Sequence, residues 1–165
     1  MKTIIYPLTV AIKIKTELEN EIKEINYKIK TLNINKEATN PYNLSKEEET
    51  KEEIHLLLAK IYDLIQSKNT KSLSKGDYSQ AYYIKIHSEN NMEKSFLRSL
   101  PTKKRVNTND FNIYISSDEV STRIKVIDKK DEEILNKISQ FNQTNSIKIT
   151  LTDNEEKIIN KILSS

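Results

Sequence analysis

The chain has 165 residues, no cysteine and a single glycine, which excludes a disulfide framework, a thiolate metal site and the glycine-rich loops that cradle phosphates. Its 27 lysines and arginines stand against 24 aspartates and glutamates for a net charge of +3, and a pI near 8.8 lies below the level of about 9 that marks a nucleic-acid-binding domain on charge alone. The length suits one compact domain, or a domain with an appendage. Only Arg98, Arg105 and Arg123 are arginine, so the basic residues are nearly all lysine. An AT-rich genome yields that skew without selection for function.

In the first fifteen residues the apolar side chains Ile4, Tyr6, Leu8, Val10, Ile12 and Ile14 occupy even positions, while Thr9, Lys13 and Lys15 are odd. Such alternation predicts a half-buried strand over residues 1–15, joining the sheet; a helix beginning at Pro7 competes with it. Pro7, Lys13 and Lys15 interrupt the apolar run and no small-residue cleavage site follows, so neither a signal peptide nor a membrane span is expected. A cytoplasmic protein follows as the expectation.

Residues 16–68 read as two amphipathic helices folded back on each other. Leu18, Ile22, Ile25, Ile29 and Leu32 recur at steps of four and three, one stripe of a helix. Thr16 with Glu19, and Ser45 with Glu48, have the spacing of capping boxes. The second stripe runs through Ile54, Leu57, Leu58, Ile61, Leu64 and Ile65. Between the helices, Asn40, Pro41 and Asn43 form a breaker run, and so short a loop favours antiparallel neighbours. One flank of this hairpin is expected to dock on the sheet, on a protein partner or on a second copy, through Leu18, Ile22, Ile25, Ile29, Ile54, Leu58 and Ile61.

Residues 69–79 read as a linker, followed by a small α+β domain over 80–165. Tyr82, Ile84 and Ile86 alternate as a strand, and Met92, Phe96, Leu97 and Leu100 suggest a short helix stopped by Pro101. Strands are predicted at Phe111, Ile113 and Ile115 and at Val120, Thr122, Ile124 and Val126. A helix capped by Asp128 carries Ile134, Leu135, Ile138 and Phe141. A last strand follows at Ile147, Ile149 and Leu151, then a final helix capped by Thr152 and Glu155. The resulting fold class is α+β, a helical hairpin plus an antiparallel sheet of ferredoxin-like (βαββαβ) order with short helices on one face. RNA-recognition domains share this order, but Ser121 to Val126 has neither the glycine nor the rings of their motif. The resemblance is one of topology.

On such a sheet the face away from the helices displays Lys13, Lys15, Tyr83, Lys85, His87, Tyr114, Arg123, Lys125 and Lys148, with no acidic neighbour in the same register. Lysines neutralise phosphates and rings stack on unpaired bases, so this face is expected to meet RNA or single-stranded DNA. Lysine on strand edges also simply blocks aggregation. A second basic group, Lys94, Arg98, Lys103, Lys104 and Arg105, complements a helix C-terminus equally well.

Catalytic signals are weak. Glu52 and His55 have the i, i+3 spacing of a di-iron ligand pair, but the second copy such a site needs is missing. Ser72 to Lys75 matches Ser-x-x-Lys without its companion motifs. No catalytic residue, metal or cofactor is expected. The favoured function is a non-catalytic accessory or assembly subunit whose hairpin binds a protein partner or second copy and whose basic sheet face touches nucleic acid. The alternative is a structural adaptor that makes protein contacts through the hairpin without nucleic acid.

Overall fold

The computed structural model of the chain describes residues 1–34, 41–100 and 116–164. In that span it is mostly helical: β1 (Lys2–Pro7), α1 (Leu8–Ile34), α2 (Pro41–Asn69), α3 (Gln80–Ser99), α4 (Ser117–Thr144), β2 (Ser146–Leu151) and α5 (Asp153–Ser164). The only sheet among the described residues has two antiparallel strands, β1 and β2. The ferredoxin-like α+β arrangement is therefore incorrect, because two of its strands are helix. The chain divides into two compact units, one formed by Met1–Asn69 with Asn142–Ser165 and the other by Thr70–Phe141. Thus β2 and α5 belong with the first hairpin.

In the first unit, α1 and α2 pack against each other, with β2 and α5 completing the layer. The buried side chains are aliphatic: Leu8, Ala11, Ile14, Leu18 and Ile25 from α1, Ile54, Leu57, Ile61 and Ile65 from α2. Ile147, Ile149 and Leu151 add the inner face of β2, and Ile159 and Ile162 the inner face of α5. The ribbon pairs Ile4 with Ile149 and Tyr6 with Ile147. Alternation in β2 points Lys148 and Thr150 outward, as period-two geometry requires. Two ion pairs bind α5 to the hairpin, Lys60 to Glu155 at 3.2 Å and Lys161 to Glu21 at 2.9 Å. Exposed pairs of this kind contribute up to about 1 kcal/mol each, so burial holds the unit together.

The N-terminal strand ends at Pro7, and α1 takes over at Leu8. Leu8, Ala11, Ile14 and Leu18 supply the helical spacing that even positions alone conceal. Thr16, expected as a cap, lies inside α1 and its hydroxyl donates to the Ile12 carbonyl at 3.1 Å. Likewise α2 begins before Ser45, at Pro41. At α5 the capping box forms: the Glu155 amide donates to Thr152 Oγ1 at 3.3 Å and the Thr152 amide to Glu155 Oε2 at 2.7 Å.

In the second unit, the segment before α3 closes a small turn. The Gln80 amide donates to the Lys71 carbonyl at 2.9 Å, and Gly76 sits at φ 92, a left-handed value that strains any side-chain-bearing residue. Ser79 caps α3, its side chain accepting from the Tyr82 amide. Ser116 begins α4 by accepting from the Glu119 amide at 3.2 Å, and Asp118 and Glu119 lie in the first turn, where acids suit the dipole. The expected strands at 82–86 and 120–126 are thus turns of α3 and α4. The expected strand at Phe111, Ile113 and Ile115 lies outside the described residues. Asp128, expected as a cap, is in the middle of α4.

Candidate functional site

The most unusual chemistry among the described residues lies between α3 and α4. Gln80, Tyr83, His87, Asn90, Lys94 and Leu97 recur at steps of three and four, which places them on one stripe of α3. Val120, Ile124, Ile127, Asp131, Ile134, Ile138 and Phe141 do the same on α4. Bonds from Gln80 Nε2 to the Ile138 carbonyl at 3.3 Å and from Lys94 Nζ to Asp128 Oδ1 at 3.1 Å show that the stripes face each other antiparallel. Of the six buried residues of these two helices, Gln80, Lys94 and Asp131 are polar. The seam is half polar where an ordinary hairpin is apolar.

Asp131 is the centre, at 4% exposure. Its Oδ1 accepts from His87 Nδ1 at 2.9 Å and from Asn90 Nδ2 at 3.0 Å, and its Oδ2 accepts from Lys94 Nζ at 3.2 Å. A carboxylate only accepts, so the proton of this bond belongs to His87 Nδ1. Asn91 Nδ2 lies 3.1 Å from His87 Nε2, and as a donor it requires that nitrogen to be bare. Burial pushes the Asp131 carboxyl up, but the hydrogen bonds from Asn90, His87 and Lys94 outweigh it and hold the group below the ordinary carboxylate value. Asp128 and then Asp131 raise the Lys94 ammonium against the opposing effect of burial. Both groups are therefore ionised at neutral pH.

His87 is oriented by a carboxylate, as in a catalytic dyad, yet its other nitrogen engages an amide rather than a hydroxyl. A shallow groove beside it is lined by Ile84, Ser88, Asn91, Met92 and Ser95. No group of three or more histidines and carboxylates suited to a metal is present among the described residues.

The pH dependence follows from Asp131. Its folded pKa lies below the unfolded value of about 3.9, so the unfolded chain binds the extra proton as pH falls. The stabilisation is complete above that unfolded value and is lost as pH drops through the lower folded one. Thermal melts across the acid range are expected to show a steeper loss for the wild type than for Asp131→Asn. Equal slopes would remove Asp131 from this role.

The residues expected on a basic sheet face lie on several different elements. Lys13 and Lys15 are on α1, Lys148 on β2, Tyr83 and Lys85 on α3, and Arg123 and Lys125 on α4; no sheet gathers them. Tyr114, Lys103, Lys104 and Arg105 lie outside the described residues. Helical spacing also supplies the acids that strand spacing hides, pairing Lys15 with Glu19 at 2.8 Å, Lys85 with Glu89 at 3.3 Å and Arg123 with Glu119 at 2.8 Å. The Tyr83 hydroxyl donates to Asp77, which also receives Lys137 at 3.0 Å. Tyr78 stacks on Tyr82 with ring centroids 4.2 Å apart.

Of the residues expected to bind a partner, Leu18, Ile25, Ile54 and Ile61 are buried, and Ile22, Ile29 and Leu58 are half-buried. All lie on the helices of the first unit, where α1 and α2 contact each other. His87, Asn90, Lys94, Asp128 and Asp131 were not legible as a group from apolar periodicity. The signal that finds them is the three-and-four spacing taken without regard to polarity. Among the described residues, no helix is long and apolar enough to cross a membrane. Comparison with protein-family models, curated proteins and solved structures gives no match.

Proposed function

We propose that the chain is a non-catalytic adaptor subunit that holds protein partners on helix faces and does so without nucleic acid. The observation that carries this reading is the inverted distribution of the second unit. Its helices bury Lys94 and Asp131 between them, yet leave Met92 and Phe96 each 57% exposed, Val126 52% and Leu135 45%. Met92 and Phe96 are four residues apart and so share one face of α3. That pair forms an apolar patch, and large apolar side chains grouped on a surface mark interaction sites. A buried ionic network, for its part, serves best as a device that fixes which helices pair and in which register. The reading without nucleic acid is supported by the helical placement of Tyr83, Lys85, Arg123 and Lys125, which the expected sheet face would have brought together.

The test uses the tagged whole chain, recovered from its native cells, beside the Met92→Lys/Phe96→Lys variant. The wild type is expected to retain a protein at fixed stoichiometry and the variant to lose it with an unchanged circular dichroism spectrum. In parallel, anisotropy of labelled single-stranded RNA and DNA is expected to stay flat even at low salt. Salt-sensitive binding of either strand that falls on replacing Lys125 or Lys148 would overturn the proposal.

A further inference from the structure

The phase of the ribbon's hydrogen bonds leaves a self-complementary edge on β1. The Leu8 amide donates to the Asn145 carbonyl at 2.8 Å, and these two residues are the next pair after Pro7 and Ser146 in the ladder. Hydrogen-bonded and non-hydrogen-bonded pairs alternate in an antiparallel ribbon. Lys2, Ile4 and Tyr6 therefore direct their backbone groups to β2, and Thr3, Ile5 and Pro7 direct theirs to the opposite edge. A second contact agrees: the hydroxyls of Thr3 and Thr150 lie 3.1 Å apart, the close approach expected of a non-hydrogen-bonded pair. No backbone hydrogen bond among the described residues reaches the outward groups of Thr3 and Ile5.

We infer that the β1 edge pairs antiparallel with β1 of a second copy of this chain, about a two-fold axis at Ile4, to give a four-stranded sheet. In that register Thr3 faces Ile5 of the second copy, and the two residues exchange both of their backbone bonds; symmetry repeats the exchange, making four. Moving the axis to Ile5 would set Thr3 against Pro7, which has no N–H to offer its carbonyl. Moving it to Thr3 would set Ile4 against Lys2. The Ile4 register instead brings two half-buried isoleucines together on the inner face, with Lys2 beside Tyr6.

The β1 edge is the open one. It lies against β2 and α1 and reaches α5 through the end residue Lys2, paired with Glu156 at 2.6 Å, whereas β2 is also in contact with α2. The outer edge of β2 presents Lys148 at mid-strand, a charge of the kind that guards an edge against pairing. β1 has its lysine and its proline only at its ends, and its centre carries Ile5 at 64% exposure. This surface is distinct from the helix faces of the second unit, so the two readings fail separately.

The native chain has no cysteine, which makes single-cysteine trapping clean. Non-hydrogen-bonded partners have Cα atoms about 4.5 Å apart, within the span of a disulfide. Under mild oxidation Ile4→Cys is therefore expected to give a disulfide-linked dimer, and to do so faster than Ile5→Cys, although position 5 is the more exposed. A faster Ile5→Cys, or no dimer from either, would overturn the inference. Sedimentation of the wild type is expected to show a concentration-dependent dimer. Ile5→Pro removes only an outward N–H and is expected to abolish that dimer with an unchanged circular dichroism spectrum. A monomer at every concentration, or a dimer that Ile5→Pro leaves intact, would equally count against it. Should Ile5→Pro fail to fold, the cysteine pair decides.

Discussion

Asp131→Ala is expected to be among the most damaging single substitutions in the second unit, costing about 3 to 5 kcal/mol. The change removes the acceptor shared by His87, Asn90 and Lys94 and leaves an ammonium whose side chain is 11% exposed. Asp128 still reaches Lys94 at 3.1 Å, but its side chain is 53% exposed and solvated, so the cost is expected near the low end. Breaking one half of a buried ion pair is expensive because the other half keeps its charge. Removing both halves leaves no bare charge, so Lys94→Met with Asp131→Leu is expected to recover most of that loss, with the part-exposed His87 and Asn90 donors turning to solvent. Hydrogen exchange of amides in α3 and α4 is the measurement. At about 1.4 kcal/mol per decade, the single variant loses more than roughly a hundredfold in protection and the double variant regains most of it. A double variant as labile as the single one would mean that the network supplies more than electrostatic compensation.

This seam also explains where sequence reasoning fails. The stripes of α2 and of α1 from Leu18 onward are legible because their apolar core positions are Leu and Ile, so hydrophobicity and helical period coincide. In α3 they part: Gln80, His87, Asn90 and Lys94 hold the period but carry no hydrophobic signal. The eye is drawn instead to Tyr82, Ile84 and Ile86, which alternate but lie on different flanks of a helix. In α4 the ambiguity is arithmetic. A step of four is two helical neighbours or two strand repeats, so Val120 and Ile124 fit either period, and Val126 tips the reading to strand. Ile127, Asp131 and Ile134 decide for helix, and Asp131 is the residue that apolar counting discards. Once α3 and α4 are taken as strands, Tyr83, Lys85, Arg123 and Lys125 fall on one sheet face, and that sheet is what the helices α3 and α4 replace. The ribbon strand at Ile147, Ile149 and Leu151 and the Thr152–Glu155 cap survive because each rests on a short, unambiguous signal.

Adjacent leucines in α2 provide the sharpest check on the first unit. Leu57 is fully buried and Leu56 is 67% exposed, although they are neighbours of identical chemistry. The difference is one step of about 100 degrees around the helix, which carries a side chain from the stripe of Ile54 and Ile61 to solvent. Leu57→Ala is expected to cost about 2 to 5 kcal/mol, since both the transfer energy and a residual cavity count against it. Leu56→Ala is expected to stay within about 0.5 kcal/mol, as for other surface changes. In hydrogen exchange of α1 and α2 that separation is roughly thirtyfold to several thousandfold in protection against almost none. Equal losses would mean that Leu56 is covered in solution by something it does not touch within the chain, and the outer face of α2 would then join α3 as a binding surface. A large loss at Leu56 with little at Leu57 would instead put the phase of α2 in error, and with it the packing of α1 on α2.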